Sequence, residues 1–231
     1  METQKFYRSR IRFLLKYFFV LIVITSIVLQ MQWLEEIQKQ IWIYGKMESE
    51  CSVKEVRNLL QEMKCFPVQE DLTGQESCYF ENGYGAPRTY GGERSHEGID
   101  IMSSLDEPGY FLIQSVSDGV IEQIGWLPLG GYRIGIRSES GFYYYYAHMD
   151  TYAEGMKVGK KVVSGEILGT MGNTGYGEEG TKGKFAVHLH FGIYRQVKGK
   201  ETSLNPYYLL EVTYGNKVME RAVSTIPACC R

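Results

Sequence analysis

Residues 187–194 read V-H-L-H-F-G-I-Y, and this stretch decides the class of fold. In a strand, successive side chains alternate between the two faces of a sheet. One face is then wholly apolar and can pack on a core; it consists of Val187, Leu189, Phe191 and Ile193. The other face carries His188 and His190, roughly 6.5–7 Å apart along one strand. That separation is too long for easy chelation of one ion by both, but it suits one metal ligand beside one catalytic group.

A second histidine motif is H-E-G-I-D at 96–100. If the segment is extended, His96 and Asp100 share a face, while Ile99 and Ile101 point inward. Together with one more histidine they give two neutral ligands and one anionic ligand, and they leave a fourth tetrahedral position open. Catalytic zinc sites have three protein ligands and a water, whereas structural sites are usually closed by four. The pattern therefore indicates a catalytic zinc site.

The remaining histidine, His148, ends the aromatic run Y-Y-Y-Y-A-H-M at 143–149. All four histidines thus stand in three compact motifs bordered by strand-like sequence, a combination that is hard to reach by chance. Alternation places Tyr144, Tyr146 and His148 on one face, so Tyr146 is a weak candidate for lining a substrate groove. The alternative is that these tyrosines are half-buried sheet residues, a position that tyrosine favours in any case.

Taken together, the motifs resemble those of the LytM/lysostaphin-type zinc endopeptidases, a family of peptidoglycan metallopeptidases. The similarity runs from about Cys78 to Tyr194. It rests on H-E-G-I-D at 96–100, S-D-G-V at 117–120, Y-A-H-M at 146–149, G-N-T-G at 172–175 and H-L-H-F at 188–191. The upstream N-G-Y-G-A-P-R at 82–88 is similar to the lead-in of the family.

The resemblance implies a mostly β domain, a compact antiparallel sheet with a groove between loops. It implies a zinc cofactor whose ligands are His96, Asp100 and His190. His188 would act as general base, with His148 as a second catalytic residue beside it, and Asn173 of the G-N-T-G motif is a weak candidate for the groove. The segment Tyr176–Lys184 looks like a local insertion before the H-L-H-F strand, which leaves groove shape and substrate preference open.

From Cys65 onward, short apolar runs are cut by Gly, Asn, Asp and Pro, as expected for an antiparallel sheet. The candidate strands are Phe111–Val116, Gly119–Gly125, Tyr132–Arg137, Phe142–Ala147, Glu166–Met171 and Phe185–Tyr194. Residues 34–64 instead show helical spacing, and Ser52 with Glu55 has the form of a capping box. This segment is either a stalk, which offers a surface for a second copy or a membrane partner, or a pair of helices that pack on the domain.

The N-terminal part predicts a membrane segment. Tyr17–Leu29 is a nearly continuous apolar run of 13 residues, preceded by basic residues at 5, 8, 10, 12 and 16. A spanning helix needs about 20 residues, so a cleaved signal peptide competes with an uncleaved anchor extended to about Ile11–Met31. No small-x-small pair follows Leu29, and Trp33 stands where an interfacial aromatic belongs. We therefore expect an uncleaved single-pass anchor in a bacterial cell membrane, with a cytoplasmic N-terminus and an extracytoplasmic domain.

The predicted organisation is a cytoplasmic tail and anchor over 1–33, a helical stalk over 34–65, a zinc peptidase domain over 66–214 and a tail over 215–231. The net charge of −2 indicates no nucleic-acid partner. None of the five cysteines has the spacing of a zinc site. If the domain lies in an oxidising compartment, Cys65 and Cys78 can form a disulfide. The alternative is that these cysteines are thiols.

These features predict a membrane-anchored zinc metalloendopeptidase that hydrolyses peptide bonds in peptidoglycan stem peptides or cross-bridges. The alternative is a non-catalytic or partner-activated protein that binds the wall or acts as a scaffold in a division or sporulation complex. Degenerate members of the family are expected to lose metal or base residues. This chain keeps all five of them, which favours the enzyme; they are His96, Asp100, His148, His188 and His190. A zinc peptidase that acts on proteins is a third alternative, because substrate choice depends on the shape of the groove.

Overall fold

The structure is a computed structural model, which describes residues 2–69, 71 and 74–224. Contacts divide the chain into two units between Lys46 and Met47, inside the segment predicted as a stalk. The helices are α1 (Glu2–Met47), α2 (Val53–Glu62) and α3 (Tyr207–Ser224). The strands are β1 (Cys78–Phe80), β2 (Pro87–Arg88), β3 (Arg94–Ser95), β4 (Ile99–Ser103), β5 (Leu112–Gln114), β6 (Gly119–Leu127), β7 (Gly131–Arg137), β8 (Tyr143–Tyr152), β9 (Lys161–Val162), β10 (Ile167–Met171), β11 (His188–Val197) and β12 (Lys200–Leu204).

The strands of the second unit form one antiparallel sheet and one small ribbon. The path through the sheet is β1-β4-β11-β8-β7-β6-β9, with β12 paired to β11 and with β10 paired to both β8 and β5. The ribbon consists of β2 and β3. This architecture confirms the predicted mostly β domain with antiparallel pairing, preceded by a long apolar helix. β4, which carries Asp100, β11, which carries His188 and His190, and β8, which carries His148, are neighbours in the sheet.

The alternation predicted for the histidine strand is confirmed. Leu189, Phe191 and Ile193 are fully buried on one face of β11. On β4, Ile99 and Ile101 are fully buried as well. Because burying such a side chain contributes about 1.5–3 kcal/mol, these two rows hold both strands in register.

Several predicted strand limits are wrong, and neighbouring strands explain the differences. β11 begins at His188 rather than at Phe185, and it continues to Val197, where it pairs with Lys200 of β12. β8 continues past Ala147 to Tyr152, because its far end pairs with β10. Such extensions come from partner strands distant in sequence, which a local pattern does not show.

The first helix is apolar along much of its length. Its segment Phe13–Met47 contains a window of mean hydropathy 2.2, and none of that window is buried. Phe18 and Leu21, for example, are exposed. By length and composition it is the one helix in the described residues that could cross a membrane.

The second helix belongs to the folded domain. Its capping box is formed as predicted, since the Ser52 side chain accepts from the Glu55 backbone while the Glu55 carboxylate accepts from the Ser52 backbone. Leu59 is fully buried. At the end of the helix, the Glu62 carboxylate accepts a hydrogen bond from the Tyr144 hydroxyl at 3.1 Å. The part of residues 34–64 that forms α2 therefore packs on the domain. A surface for a partner in this segment stays a prediction.

The C-terminal part of the described chain is also helical. α3 continues to Ser224, so it includes residues of the predicted tail, of which 225–231 lie outside the described residues. Tyr214 packs against Phe66 and Phe80, with ring centroids 5.1 and 5.7 Å away. These ring contacts join both ends of the predicted domain, at Phe66 and Tyr214, in one aromatic cluster.

The disulfide that the sequence left open is not formed. Cys65 and Cys78 are both thiols. The Cys65 thiol donates to the carbonyl oxygen of Ser115, 3.2 Å away. Cys229 and Cys230 lie outside the described residues.

We expect the packing of α2 to contribute to the stability of the domain. Leu59→Ala should lower the free energy of unfolding by about 2–5 kcal/mol, because it removes a fully buried side chain and leaves a cavity. Val53→Ala, on the same helix but half exposed, is the control and should change it by less than about 0.5 kcal/mol. Urea unfolding of the full chain in detergent measures both values. Equal effects would mean that α2 does not dock as the structure shows.

Candidate metal centre and active-site cleft

Three of the predicted site residues bring their ligand atoms together in one cluster. His96 Nε2 lies 2.9 Å from His190 Nδ1 and 3.0 Å from Asp100 Oδ1. The distance from His190 Nδ1 to Asp100 Oδ1 is also 3.0 Å. These atoms can hold a metal ion between them. Two imidazole nitrogens and one carboxylate oxygen at such short separations suit a small ion with short bonds, such as zinc at about 2.0–2.2 Å.

Strand pairing explains why these residues meet although they are far apart in sequence. Asp100 of β4 is directly opposite His190 of β11. Directly opposite residues of an antiparallel pair share a face, with Cβ atoms about 4.5–5.5 Å apart. His96 precedes β4, and its backbone N–H donates to the carbonyl oxygen of Ala86 at 2.9 Å, which fixes it beside the pair.

Outer contacts orient two of these ligands. The Nδ1 of His96 lies 2.9 Å from the carbonyl oxygen of Gly83, which orients the ring so that Nε2 faces the cluster. The Arg88 guanidinium donates to Asp100 Oδ2 at 2.6 Å, which leaves Oδ1 for the histidines. Burial alone would raise the pKa of Asp100, but hydrogen bonds from His190 and His96 outweigh it, and the pKa is lowered. The carboxylate is therefore ionised where a cation would bind.

His188 and His148 form a second pair of imidazoles at the edge of the cluster. Their ring centroids are 4.7 Å apart, and His188 Nε2 is 3.8 Å from Asp100 Oδ1. The Nδ1 of His188 lies 2.8 Å from the carbonyl oxygen of Ala186. The Nδ1 of His148 lies 2.7 Å from the carbonyl oxygen of Thr174. Since a carbonyl only accepts, each Nδ1 carries a proton, and each Nε2 can take one.

Burial keeps both imidazoles in their neutral form. It lowers the pKa of His188, and it holds the pKa of His148 well below its ordinary value, with the neighbouring histidines adding to the shift. The ring of Phe185 packs on both, with centroids 4.6 Å from His148 and 5.0 Å from His188. A neutral imidazole with an unprotonated Nε2 is what a general base requires.

A β-bulge turns His148 into the site. Between the pairs Tyr132↔Met149 and Ile134↔Tyr146, β8 advances three residues while β7 advances two. The extra residue on β8 forms the bulge. His148 has φ 62°, a value that is uncommon outside glycine. Its backbone N–H donates to the carbonyl oxygen of Gly130 at 2.8 Å. As a result, Ala147 and His148 both line the same cleft.

The bulge makes the prediction for Tyr146 wrong. Simple alternation placed Tyr146 and His148 on one face, but the register changes between them. Tyr146 is fully buried, and its hydroxyl accepts from the backbone N–H of Val116 at 2.9 Å. Tyr143 and Tyr145 line the cleft instead. The run of four tyrosines gave no local sign of the bulge, because the bulge depends on pairing with β7.

The G-N-T-G motif supports the site from behind. Asn173 is buried and does not line the cleft; its Oδ1 accepts from the backbone N–H of Gly183 at 3.2 Å, which closes the loop that follows. Thr174, rather than Asn173, contacts a catalytic candidate, through the carbonyl that holds His148 Nδ1. The Thr174 hydroxyl in turn donates to the carbonyl oxygen of Met149 at 2.7 Å. The motif therefore orients an imidazole.

The cleft has a volume of about 440 Å³. Tyr176, at φ 60°, stacks on Tyr90 with centroids 4.2 Å apart and rings tilted by 9°. The Tyr90 hydroxyl donates to the carbonyl oxygen of Tyr176 at 2.5 Å, so two loops close one side together. Residues of the cleft that sequence reasoning missed are Arg88, Arg94, Tyr145 and Tyr194. Arg88 stands in the quoted lead-in motif, which is the signal that could have found it.

The sheet and the cleft together define the class of the protein as a LytM-type domain. Residues 94–206 match the model of peptidase family M23, and the chain belongs to this family. A crystal structure of a protein named LytM from Ruminococcus gnavus ATCC 29149 is 42 % identical, with a TM-score of 0.66. The match covers 74 % of this chain and 70 % of that one.

Two further relatives are similar over more than half of the chain. The L-Ala–D-Glu endopeptidase of Bacillus subtilis (strain 168) is 41 % identical over 141 residues, which cover 61 % of this chain and 40 % of that protein. Lysostaphin from Staphylococcus simulans is 30 % identical over 141 residues, which cover 59 % of this chain and 26 % of that protein. The chain thus spans less than half of the length of these two relatives.

Gly98 gives a test of the metal centre. A Cβ at this position would lie 2.5 Å from the Phe191 carbonyl oxygen and 2.8 Å from the His190 ring. Gly98→Ala should therefore displace His190 and lower zinc affinity about tenfold to a hundredfold. In Gly83→Ala the new Cβ would lie 3.5 Å from the His96 ring, an ordinary contact, and affinity should stay within about threefold. Competition with a chromogenic chelator measures both, and equal affinities would contradict the assignment of His190 as a ligand.

Proposed function

We propose that this protein is a zinc-dependent endopeptidase that hydrolyses peptide bonds in peptidoglycan, and that α1 anchors it in the cytoplasmic membrane. The observation that carries the proposal is the pairing of a His96–Asp100–His190 cluster with two neutral imidazoles in one cleft. Metal-dependent hydrolysis needs three protein ligands for the ion and a proton acceptor beside them.

The cluster would hold zinc through His96 Nε2, Asp100 Oδ1 and His190 Nδ1. When bound, zinc lowers the pKa of a coordinated water to about 7 and polarises the scissile carbonyl. Arg88 and the Gly83 carbonyl would keep Asp100 and His96 oriented for this ligation, since each holds the side of the ligand that faces away from the cluster.

His188 would act as the general base. Its Nδ1 proton is committed to Ala186, so Nε2 accepts a proton from the attacking water as the new C–O bond forms. The same proton can then move to the nitrogen of the leaving amine as the C–N bond breaks. His148, whose Nδ1 is committed to Thr174, also presents only Nε2. Because the attacking water releases a single proton, His148 would stabilise the tetrahedral oxyanion while it, rather than His188, carries that proton, before the proton passes to the leaving amine.

The location of the protein is part of the proposal. The apolar segment of α1 is long enough to span a bilayer, and basic residues precede it at 5, 8, 10, 12 and 16. Positive residues favour the cytoplasmic side, so the peptidase domain would lie outside. Similarity to a relative named L-Ala–D-Glu endopeptidase supports wall peptides as the substrate class.

Digestion of purified peptidoglycan tests this function. The full chain, in detergent and loaded with zinc, should release new amino groups, lose this activity with a chelator and regain it with added zinc. Mass analysis of the products locates the bond, and casein in parallel tests for a general protein substrate. One bound zinc per chain without release from walls of several cross-link types would favour a scaffold or a partner-activated enzyme.

Two histidine variants separate metal binding from proton transfer. His188→Ala should keep one zinc per chain and lower turnover about a hundredfold to ten-thousandfold, because only the base is removed. His190→Ala removes a ligand and should lose zinc and turnover together. Metal content by elemental analysis and the rate of amino-group release give both values. A His188→Ala protein that cleaves at the wild-type rate would refute the role of His188.

A further inference from the structure

The β2–β3 ribbon places two arginines directly opposite each other. Arg88 of β2 pairs in register with Arg94 of β3. Directly opposite residues of an antiparallel pair share a face, and like charges in this position destabilise the pair. Both side chains line the cleft, so the two positive charges face the site rather than separate parts of the surface.

Only one of these charges is balanced by another residue in the described part of the chain. Arg88 forms an ion pair with Asp100, with 2.6 Å between Nη2 and Oδ2. Arg94 has no carboxylate within 4.0 Å among the described residues. Its Nε atom is buried and has no hydrogen-bond partner in the described part of the chain. The Nη groups of Arg94 likewise form no hydrogen bond and no ion pair within the described residues, and the side chain lines the cleft, so a ligand there can supply their acceptor.

We propose that Arg94 binds a carboxylate of the substrate peptide and so determines specificity, an inference that rests on the function proposed above. Arg88 contacts the ligand Asp100, and the Cα atom of Arg94 lies about 4.5–5.5 Å across the ribbon from that of Arg88. Because Arg94 lines the same cleft as the cluster, the carboxylate belongs to a part of the peptide close to the scissile bond.

A carboxylate fits this position better than other anions. The planar guanidinium offers its two Nη groups as donors in one plane, which match the two oxygens of a carboxylate. Glu97 and Glu201 also line the cleft, and their charges would repel an extended polyanion. A single carboxylate satisfies the donors of Arg94 and brings only one negative charge into the cleft, so Glu97 and Glu201 repel it less than they would repel a polyanion.

Four synthetic wall-type peptides test the proposal on the full chain in detergent. The parent is L-Ala-γ-D-Glu-L-Lys-D-Ala; the others carry a carboxamide in place of the D-Glu α-carboxylate, the C-terminal carboxylate, or both. With the zinc-loaded wild type, one of the single amidations should raise KM about tenfold to a hundredfold, the loss expected for a charge-assisted pair. The kcat should change less than KM, because Arg94 touches neither the metal cluster nor the proton acceptors.

Arg94→Gln should raise KM for the carboxylate peptide by a similar factor and leave KM for the matching carboxamide peptide within about twofold, so the discrimination disappears. Arg94→Lys should recover part of it, because the charge remains while the fork is lost. Arg57→Gln, which removes an exposed arginine of α2 outside the cleft, is the matched control and should change nothing. Discrimination that survives in Arg94→Gln, or a wild type that treats all four peptides alike, would overturn the proposal.

Direct binding separates this inference from the proposed function. If the zinc-loaded wild type cleaves none of the peptides, the hydrolytic function fails for this substrate class. Calorimetric titration of the same peptides then decides the role of Arg94. Binding that depends on one carboxylate and on Arg94 supports the site, whereas binding that is equal for all four peptides, or absent for all, refutes it.

Discussion

The antiparallel pairing of β4 with β11 is the constraint on which the rest of the site depends. It sets Asp100 directly opposite His190, and it does so because the other face of both strands is buried in the core. A slip of one residue would turn every side chain over, which would expose Leu189 and bury the ligands. The free energy that holds Asp100 and His190 in position therefore comes from apolar packing on the opposite side of the sheet.

Electrostatic balance in the cleft follows from which groups have partners. Asp100 stays ionised despite its burial, because His96, His190 and Arg88 all direct donors or positive charge at it. The imidazoles of His188 and His148 stay neutral, because burial opposes their charging and each Nδ1 proton already has a carbonyl acceptor. One cleft thus combines an anion, which can bind a cation, with neutral bases, which can accept protons.

Loops contribute what the sheet cannot. The segment after Asn173 returns across the cleft, holds His148 through Thr174 and stacks Tyr176 on Tyr90. The ribbon formed by β2 and β3 brings Arg88 to Asp100 and places Arg94 beside Arg88. Loops tolerate change while the strands beneath them keep their register, so differences in substrate within this fold would arise mainly here.

The sequence by itself determined the fold class, the apolar helix and the identity of the clustered residues. It could do so because alternation in V-H-L-H-F-G-I-Y and H-E-G-I-D is local, and because a resemblance carried the motifs. Tertiary structure alone decided which tyrosines face the cleft, since the bulge before His148 arises from pairing with β7. It also decided that Thr174 and Arg88 orient site residues and that the Nε atom of Arg94 has no hydrogen-bond partner among the described residues. Those contacts join segments far apart in the chain, and their presence depends on register and packing, which a local pattern does not encode.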